Sequence, residues 1–321
     1  MYFTKDNNFP HGIMFHQFHD GKFFKAGEGS ISKDDFSNLI NFIGKKNILD
    51  AELFFQKQME NKLKENEVCL TFDDGLKCQL EVALKVLEDF NIKAFFFVST
   101  SNFENKPDFF EITKYFKLNY FNNSEEFYDL FFKILDKDYN NFLIENKTII
   151  KEKIRTYPFY TKRDIEFRLI RDRFLSEKDY IKIISSMFGE KNYKVNEVVP
   201  KLFFSKSNLL ELDGLGHTIG LHSHSHTKYI EHLSHESQKI EYSKNQKNLS
   251  KILSKPNEQI NSMSHPLGSY NETSLEILKS LNVLLGFRDN MFVNNKMKNI
   301  NNSNLEIARE DHTLIMKKMK I

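Results

Sequence analysis

The chain has no tryptophan, only two cysteines and six prolines in 321 residues, and a formal net charge of just +2. Each shortage excludes something. Cys69 and Cys78 cannot build a disulfide framework, and both fall in apolar patterns that predict small core residues, as in a reducing compartment. The near-balance of charge leaves neither a basic face for nucleic acid nor an acidic tail. No uncharged apolar run approaches the roughly 18 residues of a membrane span. The opening residues, Tyr2-Phe3-Thr4-Lys5-Asp6-Asn7-Asn8, lack the charged-then-apolar order of a signal peptide. These absences predict a cytoplasmic protein that spans no membrane and binds no nucleic acid. What the chain has in quantity is aromatic: 32 Phe and 12 Tyr. A chain this long can bury a large core, and rings must fill much of it.

Hydrophobic patterning predicts an α/β protein. Val68–Phe72 is an apolar run that stops at Asp73-Asp74-Gly75. Leu80, Leu84 and Leu87 follow at helical spacing, and Lys93–Val98 is a second buried strand. Continuous apolar strands joined through a helix describe a parallel sheet covered on both faces. In such sheets chemistry sits at the carboxyl ends of the strands. The same order returns later. Leu209, Leu210 and Leu212 close a helix, and Gly216–Leu221 is a strand followed by His222-Ser223-His224-Ser225-His226. Asn261–His265 lead into Pro266-Leu267-Gly268, a helix carries Leu275 to Leu281, and Leu284–Phe287 reads as another strand. Residues 104–200 differ. Phe127, Leu130, Phe131, Ile134 and Leu135 form one helical face, and Ser176-x-x-Asp179 resembles a capping box opening a helix through Ile181, Ile184 and Met187 to Gly189. The expectation is one catalytic domain over residues 1–321 with a helical insertion at 104–200, serving as a lid or an oligomer surface.

Two clusters carry chemistry. Alone, Asp-Asp-Gly is ordinarily a turn and a histidine-rich pentad ordinarily a solvated loop. Together they resemble halves of a metal site. Adjacent carboxylates at a strand end repel, and a cation removes that cost. Two imidazoles with one carboxylate are an open zinc set. His222 and His226 are four apart, which on a helical turn puts both on one face. That is the HExxH spacing without its glutamate, so the base must come from elsewhere, and Asp73 beside a metal-bound Asp74 is the candidate. A cation lowers the pKa of bound water from 15.7 to about 7, and a carboxylate can take its proton as it attacks a carbonyl. This predicts metal-assisted hydrolysis of an amide or ester. A backbone N–H in Pro266-Leu267-Gly268 can serve the oxyanion. His16, His217, His265 and His312 are all available as the acid.

These residues resemble the polysaccharide deacetylases, carbohydrate esterase family 4. Thr71-Phe72-Asp73-Asp74-Gly75 reproduces the family's first motif. Gly216-His217-Thr218-Ile219-Gly220-Leu221-His222-Ser223-His224-Ser225-His226 matches its second. Gly12–His16 looks like the Tyr-His strand that opens one branch, Ser32–Ile43 resembles the helix after it, and Ser264–Asn271 looks like that branch's Tyr-Pro-Tyr-Gly loop. The resemblance covers about two thirds of the chain. It implies a distorted (β/α) barrel of about seven parallel strands. It also implies a base at Asp73 and a metal held by Asp74, His222 and His226. Zn²⁺ is the expected ion, and Co²⁺, Ni²⁺, Mn²⁺ or Fe²⁺ suit the same donors. The loop His265-Pro266-Leu267 falls at the substrate and oxyanion position. The family's third motif has Arg where this chain has Ser264 and Tyr where it has Leu267, which leaves Arg309 to orient the base. The N-terminal His of the branch implies His16 as the acid, with His312 as the alternative.

The implied activity is removal of an acetyl or formyl group from an amino sugar, carried on a nucleotide or lipid in surface-glycan synthesis. Two other readings stand beside it, an inactive carbohydrate-binding relative and an amidohydrolase of non-sugar substrates. The expected partners are a small-molecule or glycan substrate and further copies of the chain.

Overall fold

A computed structural model describes residues 2–156, 161–293, 297 and 299–320. The chain divides into two compact units, residues 1–108 with 199–321, and residues 109–198.

The first unit is a distorted (β/α) barrel. Its strands are β1 (His11–Phe15), β4 (Val68–Phe72), β5 (Phe95–Val98), β6 (Thr218–Leu221), β7 (Ser262–Ser264), β8 (Leu285–Phe287) and β9 (Arg309–Asp311). A separate two-stranded sheet pairs β2 (Gln17–His19) with β3 (Ser30–Ser32). Around the barrel the order is β8-β7-β6-β5-β4-β1-β9, and every neighbouring pair is parallel. The two edges meet just ahead of β9. Ile307 N–H donates to Gly286 O at 2.8 Å, and Arg288 N–H donates to Ile307 O at 2.8 Å. This nearly closes the ring.

The alternation of strand side chains sorts the phenylalanines into two layers. Phe95, Phe97 and Phe287 cluster with Cys69, Ile307, Ala51 and Phe54. Phe15 and Phe72 (ring centroids 5.3 Å apart), with Phe96 on Phe72 at 4.7 Å, stack on the other side. Phe36, from the helix Lys33–Ile43 capped by Ser32, packs against Phe15 and Phe72. The helix after Asp73-Asp74-Gly75 opens with a π-helical stretch, Gln79–Ala83, before its α-helical part Leu84–Asp89. Such widened turns recur at functional sites.

The second unit is helical. Ser124–Ile134 is capped by Asn123 and buries Phe127, Tyr128 and Phe131. Glu177–Glu190 is capped by Ser176, whose hydroxyl accepts the Asp179 N–H. Two details differ from the sequence pattern. Gly189 lies inside that helix, which runs on to Glu190. Its buried face is Tyr180, Ile183, Ile184, Met187 and Phe188, while Ile181 is exposed. The stripe follows 3.6-residue periodicity shifted by one position, because Tyr180 and Phe188 have more area to bury than Ile181.

Candidate active site

Candidate residues from five separate parts of the sequence leave the carboxyl ends of barrel strands. His16 follows β1, Asp73 and Asp74 follow β4, His222 follows β6, His265 and Leu267 follow β7, and His312 follows β9. The parallel arrangement therefore converges residues almost 300 positions apart on one rim.

Asp74 takes a left-handed conformation, φ 74°, and Gly75 does the same at φ 64°. A Cβ on Gly75 would lie 3.0 Å from Val98 Cγ1, so only glycine completes this turn comfortably. The turn aims Asp74 Oδ1 at two imidazoles, 3.3 Å from His222 Nε2 and 3.5 Å from His226 Nε2. His222 and His226 do not lie on a helical turn as their spacing suggested. The chain leaves β6 into an irregular loop, with Ser223 (φ 56°) and His226 (φ 51°) both left-handed. The loop brings the ring centroids to 4.9 Å all the same.

The far side of each ring is fixed. His222 Nδ1 meets the Ser264 carbonyl at 2.9 Å, and His226 Nδ1 meets Asp108 Oδ2 at 2.6 Å. Both acceptors lack a proton to give, so each Nδ1 is the donor and each Nε2 turns a lone pair inward. Three acceptor atoms thus face one another, and Asp74 Oδ1 is buried without a hydrogen-bond partner. One donor atom from each of Asp74, His222 and His226 lies within 4.8 Å of the others. A divalent cation fits this set, since it satisfies all three acceptors at once. Burial opposes the charge on Asp74, and without a cation only protonation of the facing His226 and His222 would outweigh it and hold the carboxyl far below the usual carboxylate range; a cation takes the place of those protons.

Asp73 points elsewhere. Arg309 donates to it twice, Nη1 to Oδ1 at 2.8 Å and Nη2 to Oδ2 at 2.8 Å. The Ser264 hydroxyl donates to Oδ2 at 3.0 Å and accepts from Arg309 Nη2 at 2.7 Å. Arg309 sits level with Gly12 at the start of β9, and its buried side chain passes Thr71 on the way to Asp73. Gly12 makes room for it, because a Cβ there would lie 3.0 Å from Arg309 Cγ. Burial resists ionisation of Asp73, yet the guanidinium prevails and holds the carboxyl below its ordinary value. His16 Nε2 lies 3.9 Å from Asp73 Oδ2, with 32% of its side chain exposed.

Other histidines are more enclosed. His312, 3% exposed, turns Nδ1 to the Met14 carbonyl at 3.1 Å. His265 is fully buried, donates from Nε2 to Leu305 O at 2.8 Å and stacks on Tyr270. Burial lowers its pKa to about 4. His217 accepts the Ala94 N–H at 3.0 Å. His224, which sequence reasoning left without a task, accepts the Thr100 and Ser101 N–H groups on its carbonyl and ties two loops together.

Sequence reasoning missed several residues of the rim. Asp108 braces His226. Gln79 donates to both the Asp73 and His16 carbonyls, at 2.6 and 2.8 Å. Asn245 accepts the His222 N–H at 2.9 Å and donates to Val98 O at 3.0 Å. None sits in a motif with chemical meaning of its own. The one available signal was Ser264, visible as a small residue at an expected Arg position.

The profile of the polysaccharide deacetylase family matches residues 60–115 and 181–285, half of the chain, and the chain belongs to that family. No curated protein sequence matches it. The fold is similar to that of Streptococcus pyogenes deacetylase PplD in complex with acetate, at 16% identity and TM-score 0.56 over 94% of this chain and 92% of that one. IcaB from Ammonifex degensii is similar at 12% identity and TM-score 0.51, over 94% and 91% of the two chains. A de-N-acetylase from Aggregatibacter actinomycetemcomitans gives 12% identity and TM-score 0.51, over 94% and 93%. At these identities the likeness is one of fold.

Proposed function

We propose that the protein is a metal-dependent hydrolase that removes an N-acetyl or N-formyl group from an amino sugar. The observation that carries this reading is the division between the adjacent carboxylates. Asp74 faces two imidazoles, whereas Asp73 is clamped by Arg309 and Ser264.

Asp74, His222 and His226 hold the cation, with Zn²⁺ the best match and Co²⁺, Ni²⁺, Mn²⁺ or Fe²⁺ compatible with the same donors. When bound, such an ion acidifies water and polarises the scissile carbonyl. Asp73 is the general base. Its depressed pKa keeps it ionised at neutral pH, and it takes a proton from water as the water oxygen attacks the amide carbon. The C–N bond then breaks, leaving a carboxylate and an amine. His16 delivers the proton to that amine. Its exposure and its 3.9 Å approach to Asp73 favour it over the enclosed His312.

The turn after β7 supplies the oxyanion donor. Pro266 has no N–H, and those of Gly268 and Ser269 are spent on His265 O and Pro266 O. This singles out the Leu267 amide. His265 supports the turn from beneath through its bond to Leu305 O.

Membership of the polysaccharide deacetylase family supports a carbohydrate substrate. A nucleotide- or lipid-linked N-acyl amino sugar is the reading we favour. The test is acetate and formate release by Zn²⁺-loaded protein from a panel of N-acetylated and N-formylated sugars, free, nucleotide-linked and oligomeric. Release from at least one supports the proposal. No release from any sugar, with release from simple anilides, would transfer the site to a non-sugar amide.

A further inference from the structure

The two imidazoles that face Asp74 are braced by different partners. His222 Nδ1 donates to a neutral carbonyl, that of Ser264, at 2.9 Å. His226 Nδ1 donates to a carboxylate, Asp108 Oδ2, at the shorter distance of 2.6 Å. The backbone that carries this carboxylate is itself held. The Asp108 N–H donates to Asn102 Oδ1 at 2.9 Å, within the turn that follows β5, and the Asp108 side chain is only 10% exposed. His226 needs such support more than His222 does. His222 leaves β6 directly, its backbone pinned by Asn245 and Ser99. His226 sits four residues out in an irregular loop at φ 51°.

We infer that Asp108 is a positioning residue for cation binding: its carboxylate fixes the orientation and tautomer of His226 and makes that imidazole the stronger donor of the pair. A hydrogen-bonded carboxylate raises the basicity of an imidazole ligand, and loss of such a partner costs about 10–100-fold in metal affinity. The inference rests on the proposed metal set, Asp74, His222 and His226.

Zn²⁺ affinity of the full chain, measured by competition with a chromophoric chelator, tests it independently of turnover. The variants are Asp108→Asn, which keeps an acceptor without the charge, and Asp108→Ala, which keeps neither. Asn102→Ala perturbs the brace one step further out and guards against misfolding at position 108. The expected result is a graded loss, roughly 10–100-fold for Asp108→Ala, smaller for Asp108→Asn and smaller again for Asn102→Ala. Thermal unfolding of the metal-free proteins should be nearly unchanged, which separates positioning from a purely structural role. Wild-type protein that binds Zn²⁺ while all three variants bind it equally well would overturn the role of Asp108 alone. Wild-type protein that binds no Zn²⁺ would overturn the metal set and this inference together.

Discussion

At the scale of single residues, the most consequential pair is Asp73 with Arg309, an ion pair whose members are each about 1% exposed. Two buried charges are tolerated because the guanidinium fork matches the carboxylate and Ser264 takes up a remaining valence. Removing one partner leaves the other charge stranded. Arg309→Ala should therefore lower unfolding free energy by about 3–5 kcal/mol, read by urea denaturation. Adding Asp73→Asn in that background should recover part of the loss, because the stranded charge is gone. If the double variant were as unstable as the sum of the singles, the pair would not be acting as an ion pair. Asp73→Asn alone should reduce deacylation by about 10²–10⁴-fold while the protein stays folded. The orienting role of an Arg near the carboxyl terminus of the chain was legible as a need, since Ser264 occupies the usual Arg position. The route of its side chain past Gly12 and Thr71 was not, because it depends on the register of β9 against β1.

At the scale of elements, β6 shows how backbone shape delivers His222 to the rim of the barrel. Gly220 sits against β5 and β7, where a Cβ would lie 2.7 Å from the Phe97 ring and 2.7 Å from Ser262 O. The second contact is backbone and cannot step aside. Gly220→Ala should cost about 1–3 kcal/mol through overpacking and should weaken metal binding, since His222 lies two residues on. An unchanged melting temperature and unchanged affinity would mean that β6 is freer than its contacts indicate. The strands themselves were legible. Runs such as Val68–Phe72 and Phe95–Val98 are apolar throughout because parallel strands are covered on both faces. The loop between His222 and His226 was not. Four-residue spacing carries a helical meaning only inside a helix, and here two left-handed residues, Ser223 and His226, produce the same convergence by another path. Asp108 was equally hidden, being 118 positions from the histidine it braces.

At the scale of the whole molecule, the barrel buries His217 and His265 as neutral imidazoles. Burial lowers both His217 and His265 from the ordinary 6.5 to about 4. The unfolded chain takes up these protons near pH 6.5 and the folded one does not, so the unfolded state binds more protons between those values and stability falls as pH drops through that window. Each full pKa unit is worth about 1.4 kcal/mol. The pair should thus lower the melting temperature by about 10 °C between pH 7 and pH 4.5, and His217→Gln should shallow the slope. A melting temperature flat across that range would contradict the assignment of neutral core histidines. No helix among the described residues is long and apolar enough to cross a membrane. The account as a whole turns on the claim that two neighbouring carboxylates do different work, one for the cation and one for the proton. Metal content by mass spectrometry, after Zn²⁺ loading and exhaustive dialysis of Asp73→Asn and Asp74→Asn side by side, addresses that claim most directly. The prediction is close to a full equivalent of zinc in Asp73→Asn and close to none in Asp74→Asn. Equal retention in the two variants would contradict it.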